Sequence, residues 1–392
     1  MGARGWTAIS YGLTGVLNAL WGATLPATDA RLDLGAARIG GLLMALAVGA
    51  LVAMPIAGRL ADRWSGQRLL RWTMPMASIA LALTALAPSA AVLTVAVVVL
   101  GVVSGALNVA LSLQAVAVER ATERPVMATM HGTWTLGAVF GGGLVTAGLH
   151  LGVGVQALMA GGAAVLLAST LALTRRFDSD GRPARAGRDV AGGPGRHGLV
   201  VALGVVGAAA FLTEGAATDW AGLHATRVLG ATPAVGSLVY TAFFVAMTVV
   251  RFAGDPIRAR LGPALTIRIA GGTATAGYGL VLLAGAIQTP RVGTAIVGWV
   301  LAGAGMAVVW PVVVSALGTS GASAPRLSTV TTISYGGGLV GPALIGSVAG
   351  HAGLSTALLI PAALAVVVAA AAPAVLNHYL ATSEAELTMR ST

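Results

Sequence analysis

The chain of 392 residues contains no cysteine and no lysine. The first absence excludes a disulfide framework and a thiolate metal site. The second excludes the Gly-x4-Gly-Lys-Ser/Thr loop that cradles nucleotide phosphates, so ATP-driven work is not expected. Six histidines are scattered without ligand spacing, and no metal site is expected from them. No nucleophile and base stand at a spacing that suggests an enzyme. Charge is scarce as well: 9% of the residues are charged and only 13 are acidic, against roughly 25% charged in a soluble domain.

What is there instead is apolar surface. The composition is 56% hydrophobic and the mean hydropathy is +0.86, which makes this a membrane protein. A helix needs about 20 apolar residues to cross ~30 Å of hydrocarbon, because its backbone polar groups must be satisfied within the segment. Runs of that kind fall near 7–27, 38–57, 71–87, 91–118, 126–148 and 155–174, and then near 198–222, 234–253, 265–287, 292–317, 327–350 and 355–376. Twelve spans are predicted. Arg4 followed by an apolar run ending in "GATLPA" imitates a secretory signal. With eleven more spans behind it, it is expected to be an uncleaved first helix.

The net charge of +10 is carried by 23 arginines. With the N-terminus placed in the cytoplasm, only Arg31, Arg38, Arg227 and Arg291 fall outside, and the other nineteen fall inside. That bias follows the positive-inside rule, so both termini are expected to be cytoplasmic and the membrane to be the cell's inner membrane. The basic charge therefore reports topology and gives no reason to expect a nucleic-acid partner. Partners expected are a small-molecule substrate, protons and the lipid bilayer, and the chain is expected to work as a monomer.

One long polar stretch, "RRFDSDGRPARAGRDVAGGPGRHG", interrupts the spans. It divides the chain into a six-helix bundle over 1–174, a cytoplasmic linker over 175–197, a second six-helix bundle over 198–380 and a tail over 381–392. A flexible linker and a basic segment that binds anionic lipid are both open readings of it. The halves repeat each other at an offset near 200 residues. Gly58 and Gly66 of "GRLADRWSGQR" fall on Gly254 and Gly262 of "GDPIRARLGPA", and Gly132, Gly137 and Gly142 fall on Gly336, Gly341 and Gly346. Long internal repeats are characteristic of transporters.

"GRLADRWSGQR" resembles the cytoplasmic signature between helices two and three of the major facilitator superfamily, with Gly58, Asp62, Arg63, Gly66 and Arg68 on the signature positions. The resemblance implies an all-α membrane fold of twelve transmembrane helices in two pseudo-symmetric halves, working by alternating access. It also implies a cytoplasmic gate at these residues, echoed in the second half by Gly254, Asp255 and Arg260, where Arg258 replaces the aspartate. "ALNVALSLQAVAVERATERPVMATMHGTWTLG", "FLTEGAATDWAGLH" and "AFFVAMTVVRFAGD" are similar to a fucose-permease-like bacterial branch, which often has an acid where Asn108 stands.

An ionisable residue inside a span is a functional candidate because its burial is expensive. Of the acids, only Glu214 and Asp219 fall within the apolar runs. Counted at 1.5 Å per residue from Leu199, Glu214 lies roughly 22 Å into a ~30 Å core, and Asp219 near the external boundary beside Trp220. Five residues turn a helix by about 140°, so the two carboxylates are expected on different faces.

No arginine is expected at the depth of Glu214. A carboxyl that is neutral when occluded and charged when wet can carry a proton, which is one role open to Glu214. A structural hydrogen bond and direct contact with a cationic substrate are the others. Asp219 is expected to cap the external end or to pair with Arg227, ahead of a role as a gate. His131, about one turn inside helix five, is a candidate proton relay. Candidates for substrate contact are Asn18, Trp21, Asn108, Ser112, Gln114, Trp134, Tyr240, Phe243, Trp310 and Tyr335, because amides bond polar solutes and aromatic faces stack on sugars or cations. Helix-to-helix packing is the other reading of each.

The absence of a mid-span arginine favours a neutral or cationic substrate. No cofactor is expected beyond the proton gradient. Sugar-like uptake, proton-coupled efflux of drugs or metabolites, and a non-transporting solute sensor are the functions left open, in that order.

Overall fold

The computed structural model describes residues 2–61, 64–122, 126–175, 197–288, 291–319 and 324–391. Asp62, Arg63 and residues 176–196 of the linker lie outside the described residues, and of Asp255 only the backbone is described. All regular elements among the described residues are helices. The first half holds α1 (Ala3–Gly22), α2 (Leu25–Leu32), α3 (Gly35–Ala61), α4 (Gly66–Leu86), α5 (Ala90–Thr122), α6 (Met127–His150) and α7 (Val155–Thr174). The second holds α8 (His197–Leu223), which runs into a π-helical turn (His224–Val228), then α9 (Pro233–Leu261) and α10 (Pro263–Ala286). It continues through α11 (Arg291–Met306), α12 (Val309–Thr319), α13 (Ala324–Ala352), α14 (Leu354–Ala357) and α15 (Leu359–Ser391).

Ten helical segments among the described residues are long and apolar enough to cross a membrane. The two further crossings are α1 and α6, whose sequences are richer in polar residues and glycine; they pack on each other at the centre, and α6 also turns Leu136, Phe140 and Leu144 outward. A Cβ on Gly15 would sit 2.0 Å from the carbonyl oxygen of Trp134, and one on Gly137 2.0 Å from that of Gly12. Only glycine allows this approach. In a solvent as apolar as the side chains themselves, such van der Waals contact is what holds helices together. The outer surface carries Val52, Ile56, Val95, Phe140, Val165 and Phe252, all exposed as lipid-facing residues are.

The repeat read from the glycines has a structural counterpart. Gly137 packs on α1, and its counterpart Gly341 packs on Leu212 of α8. Gly142 meets Tyr240 and Thr241 of the opposite half, and its counterpart Gly346 meets Gly40 of the opposite half. The halves are thus fastened along α6 with α9 and α3 with α13, by the same helices taken from each repeat.

That fastening lies at the end of the bundle that carries α2. Gly40 and Gly346 approach so closely that a Cβ on Gly346 would lie 2.3 Å from the Gly40 Cα. The Thr146 hydroxyl is hydrogen-bonded to those of Ser237, at 3.0 Å, and Thr241, at 3.2 Å. Beside them Asp29 of α2, 2% exposed, forms a two-point ion pair with Arg227 of the π-helical turn. Asp33 adds a contact at 3.8 Å, and the Gly35 amide donates to Asp29 Oδ1 at 3.0 Å. At the opposite end, the linker end, Gly58 has nothing within 4 Å.

Candidate functional site

The half-exposed positions in the middle of α8 are Phe211, Glu214, Gly215, Thr218 and Asp219. They recur at three and four residues, so they form one stripe along the helix. Beyond Asp219 the stripe stops, because residues 220–225 are all buried. The stripe is the second half's wall of a central site, and its end marks where the halves close. Glu214 and Asp219 therefore border one surface from opposite edges, where the helical angle alone placed them on different faces.

Glu214 is not alone. Arg251 of α9 brings its Nη2 to 3.2 Å from the Glu214 Oε2, with side chains 11% and 15% exposed. This overturns the expectation of no arginine at that depth, and with it the argument against an anionic substrate group. Arg251 stands two residues from the end of the apolar run at 234–253, but the helix continues ten residues beyond it to Leu261, which places Arg251 about 15 Å inside the helix.

A second bond fixes the guanidinium: Nε donates to the Ala307 carbonyl at 3.3 Å. Ala307 lies between α11 and α12, four residues before Pro311. Proline has no N–H to return to that carbonyl, so the arginine takes the missing donor's place.

Aromatic side chains floor the pair. Phe211 stacks on Tyr335 of α13, centroids 4.8 Å apart at 25°, and tilts against Trp310 of α12 at 5.0 Å. The first half faces them with His131 and Tyr11, which meet edge to face at 5.8 Å. Ser112 of α5, whose hydroxyl donates to the Asn108 carbonyl at 2.9 Å, lies near the Tyr11 hydroxyl, and Asn108, one turn away, is exposed on the same face. Across the halves, His131 lies within electrostatic range of the Arg251 guanidinium. Trp134 of α6 reaches across to Phe244 of α9 at 5.8 Å.

Of the residues singled out in the sequence, Glu214, His131, Asn108, Trp134, Trp310 and Tyr335 are brought to this site, and Asn18 is half-buried on α1. Tyr240, 1% exposed, sits deeper, wedged between Gly22 and Gly142 where α1, α6, α8 and α9 meet. Trp21 is buried beside Gly22 with its Nε1 unpartnered among the described residues. Two candidates are elsewhere. Gln114 is buried and donates to Thr7 at 3.4 Å, tying α5 to α1, while Phe243 packs edge to face on Trp299 inside the second half. Ser112, singled out with Asn108 in the sequence, is exposed on the same face; Arg251, Phe211 and Tyr11 are added by the structure.

Asp219 also departs from expectation. The apolar span continues to Val228 and Trp220 is fully buried, so neither residue marks a boundary with water. Arg227 is taken by Asp29 rather than by Asp219.

At the linker end, the Ser65 hydroxyl caps α4 by accepting from the Arg68 amide at 3.2 Å, and the Arg68 guanidinium lies 4.9 Å over Trp64. Gly66 opens α4 against α5. In the second copy Gly254 is buried against Val308, Arg258 donates to Ser315 of α12, and Arg260 is exposed.

A two-fold helical bundle fastened at one end, with a polar and aromatic site between its halves, defines a secondary membrane transporter. No protein-family model matches the chain. The chain is 31% identical over 372 residues to an MFS-type transporter of Yersinia pestis, spanning 94% of each. It is 31% identical over 376 residues to a transporter of Sinorhizobium fredii, spanning 94% of this chain and 97% of that one. It belongs to the major facilitator superfamily. It is also similar to the membrane protein MosC of Rhizobium meliloti, 29% identical over 93% of this chain and 88% of that one.

Among solved structures, the nucleoside transporter NupG superposes with a TM-score of 0.70 at 16% identity, over 96% of this chain and 99% of that one. A bacterial homologue of the human lysosomal transporter Spinster, inward-facing and unoccupied, gives 0.65 at 16% identity, over 97% and 98%. At these identities the likeness is one of fold.

Proposed function

We propose that the chain is a proton-coupled transporter that moves a small polar solute across the inner membrane by alternating access, with Glu214 as a coupling carboxylate. The observation that carries this reading is the Arg251–Glu214 pair inside an aromatic site shared by the two halves. An ion pair of this kind has two states of use. With Glu214 ionised it holds Arg251; with Glu214 protonated it releases one edge of the guanidinium to a solute. His131, close to Arg251 and in edge contact with Tyr11, is placed to relay the proton toward the linker end.

The arginine distribution supports cytoplasmic termini, which makes the α2 end external and the conformation inward-facing. The gate at the linker end would then be formed by Gly58, Asp62, Arg63, Gly66 and Arg68 with Gly254, Asp255 and Arg260. Stacked rings beside hydrogen-bonding groups suit a sugar-like or nucleoside-like solute taken up with a proton, and Arg251 admits one that carries a carboxylate. Efflux by proton exchange uses the same parts in the reverse order.

Solute-driven proton flux in proteoliposomes tests the reading, with sugars, nucleosides and amino or carboxylic acids as the panel. At least one class should move protons in the wild type, and Glu214→Gln should uncouple that movement. Unchanged coupling in the variant removes Glu214 from the mechanism, and no flux with any class favours a non-transporting sensor.

A further inference from the structure

We propose that Asp219 is a second proton-binding carboxyl, placed at the closed end of the central site and loaded from the α2 side, with the Tyr240 hydroxyl, unpartnered among the described residues, as the donor that it takes up once protonated. The proposal deepens the transport reading of the same cavity, but proton binding at Asp219 is measured without any solute.

Placement is the first argument. Asp219 is the last half-exposed residue of the α8 stripe, and from Trp220 onward the helix is buried. It therefore stands where the partly exposed stripe meets the seal, the position from which opening of the α2 end would first wet a side chain.

The second argument is the lack of a counter-charge. Facing α8 from the packed elements are Arg251 and Tyr240 of α9, Tyr335 of α13, Tyr278 of α10, Arg291 of α11 and Asp29 of α2; on its own chain segment are Glu214, His224 and Arg227. Arg251 is held by Glu214 and Ala307, and Arg227 by Asp29. Arg291 donates to the Val228 carbonyl at 2.9 Å, Tyr278 donates to the Thr213 carbonyl at 3.0 Å, and His224 lies edge-on to Trp299. Tyr335 belongs to the aromatic floor around Glu214. His378 and Tyr379 of α15 lie toward the linker end. Among the described residues none of these makes an ion pair or hydrogen bond with Asp219. An uncompensated carboxylate inside a span is costly, and binding a proton removes the cost.

The third argument is the orphaned hydroxyl. Tyr240 is 1% exposed, its oxygen has no partner among the described residues, and it is electrostatically coupled to both Asp219 and Glu214. Gly22 and Gly142 leave room for its ring and nothing more: added Cβ atoms would lie 2.9 and 3.1 Å from it. The ring is the plug of the closed end, and its hydroxyl is the unused donor there that is coupled to Asp219.

The step balances simply. On the open α2 side a proton passes from water to an Asp219 oxygen and the charge is lost; closure then buries a neutral acid. Reopening returns the proton to water.

Infrared difference spectroscopy of the purified protein, moved between mildly acidic and alkaline buffer, tests this directly. Protonated-carboxyl C=O absorption that titrates should be present in the wild type, with one component lost in Asp219→Asn, that component retained in Glu214→Gln, and shifted to higher frequency in Tyr240→Phe as its hydrogen bond is lost. A spectrum that loses no component in Asp219→Asn, or loses one only in Glu214→Gln, overturns the assignment, and a component unmoved in Tyr240→Phe overturns the part given to Tyr240. If Asp219→Asn does not fold, Asp219→Glu carries the test: a displaced band supports the proposal and an unmoved one defeats it. The band with no solute-driven proton flux would defeat the transport reading and leave the proton site standing.

Discussion

The guanidinium of Arg251 in α9 lies 3.2 Å from the carboxylate of Glu214 in α8, and its Nε is held at 3.3 Å by the carbonyl of Ala307. One arginine thus joins three elements of the second half at the wall of the central site. Removing one partner of a buried pair leaves an uncompensated charge, at a cost of about 3–5 kcal/mol when burial is complete, whereas removing both is far less damaging. Thermal melting in detergent should therefore show Arg251→Gln to be the least stable variant, with Arg251→Gln/Glu214→Gln recovering most of the loss. A double variant no better than the single would show that the pair contributes nothing as a unit.

The Asp29–Arg227 pair fastens α2 to the far end of α8. Hydrogen bonds to charged groups contribute about 1.5–3 kcal/mol, so Asp29→Asn should shift the equilibrium roughly tenfold or more toward an open α2 end. The absence of native cysteine makes this measurable without background. In a Thr218→Cys protein, the thiol should react with a membrane-impermeant maleimide applied from the α2 side faster when Asp29→Asn is added than with Asp29 intact.

Gly346 against Gly40 is the tightest contact between the halves, and a side chain at either has nowhere to go. Gly346→Val should hold the α2 end apart, raise the same labelling rate and abolish net transport while leaving the protein folded. Labelling at the wild-type rate would mean that the seal is made elsewhere.

Pro311 is what frees the Ala307 carbonyl. Pro311→Ala restores a helical donor, with a local gain of up to about 3 kcal/mol. Melting should rise or hold while transport falls, since Arg251 loses its anchor. A variant with full transport would show that the Ala307 contact is not needed.

The twelve spans were legible because hydrocarbon demands long apolar runs, and the two that barely met the demand, α1 and α6, carry the glycines and polar residues through which they pack on each other. The glycine repeat was legible for a related reason: Gly142 and Gly346 are pinned by equivalent contacts between the halves. Arg251 was not legible as a partner of Glu214. It stands two residues from the end of an apolar run, and nothing in the sequence says that the helix continues to Leu261 or that Pro311 prepares a carbonyl for it. Asp219 and Trp220 look like a membrane boundary in sequence, since an acid beside a tryptophan is common there. The burial of Trp220 and of the residues after it depends on α2, α9 and α13 closing over the end of α8, which is tertiary. Gln114 and Phe243 carry the chemistry of a binding site and serve packing instead, a choice that residue type does not decide.

Because Ala307 occupies Nε, the side edge of the Arg251 fork is closed to any visitor. A carboxylate taking the place of Glu214 has to approach the guanidinium end-on, at the two terminal nitrogens, and there is width for one such group. The site is therefore expected to exchange anions one for one, with a single vacancy that Glu214 and a solute occupy in turn.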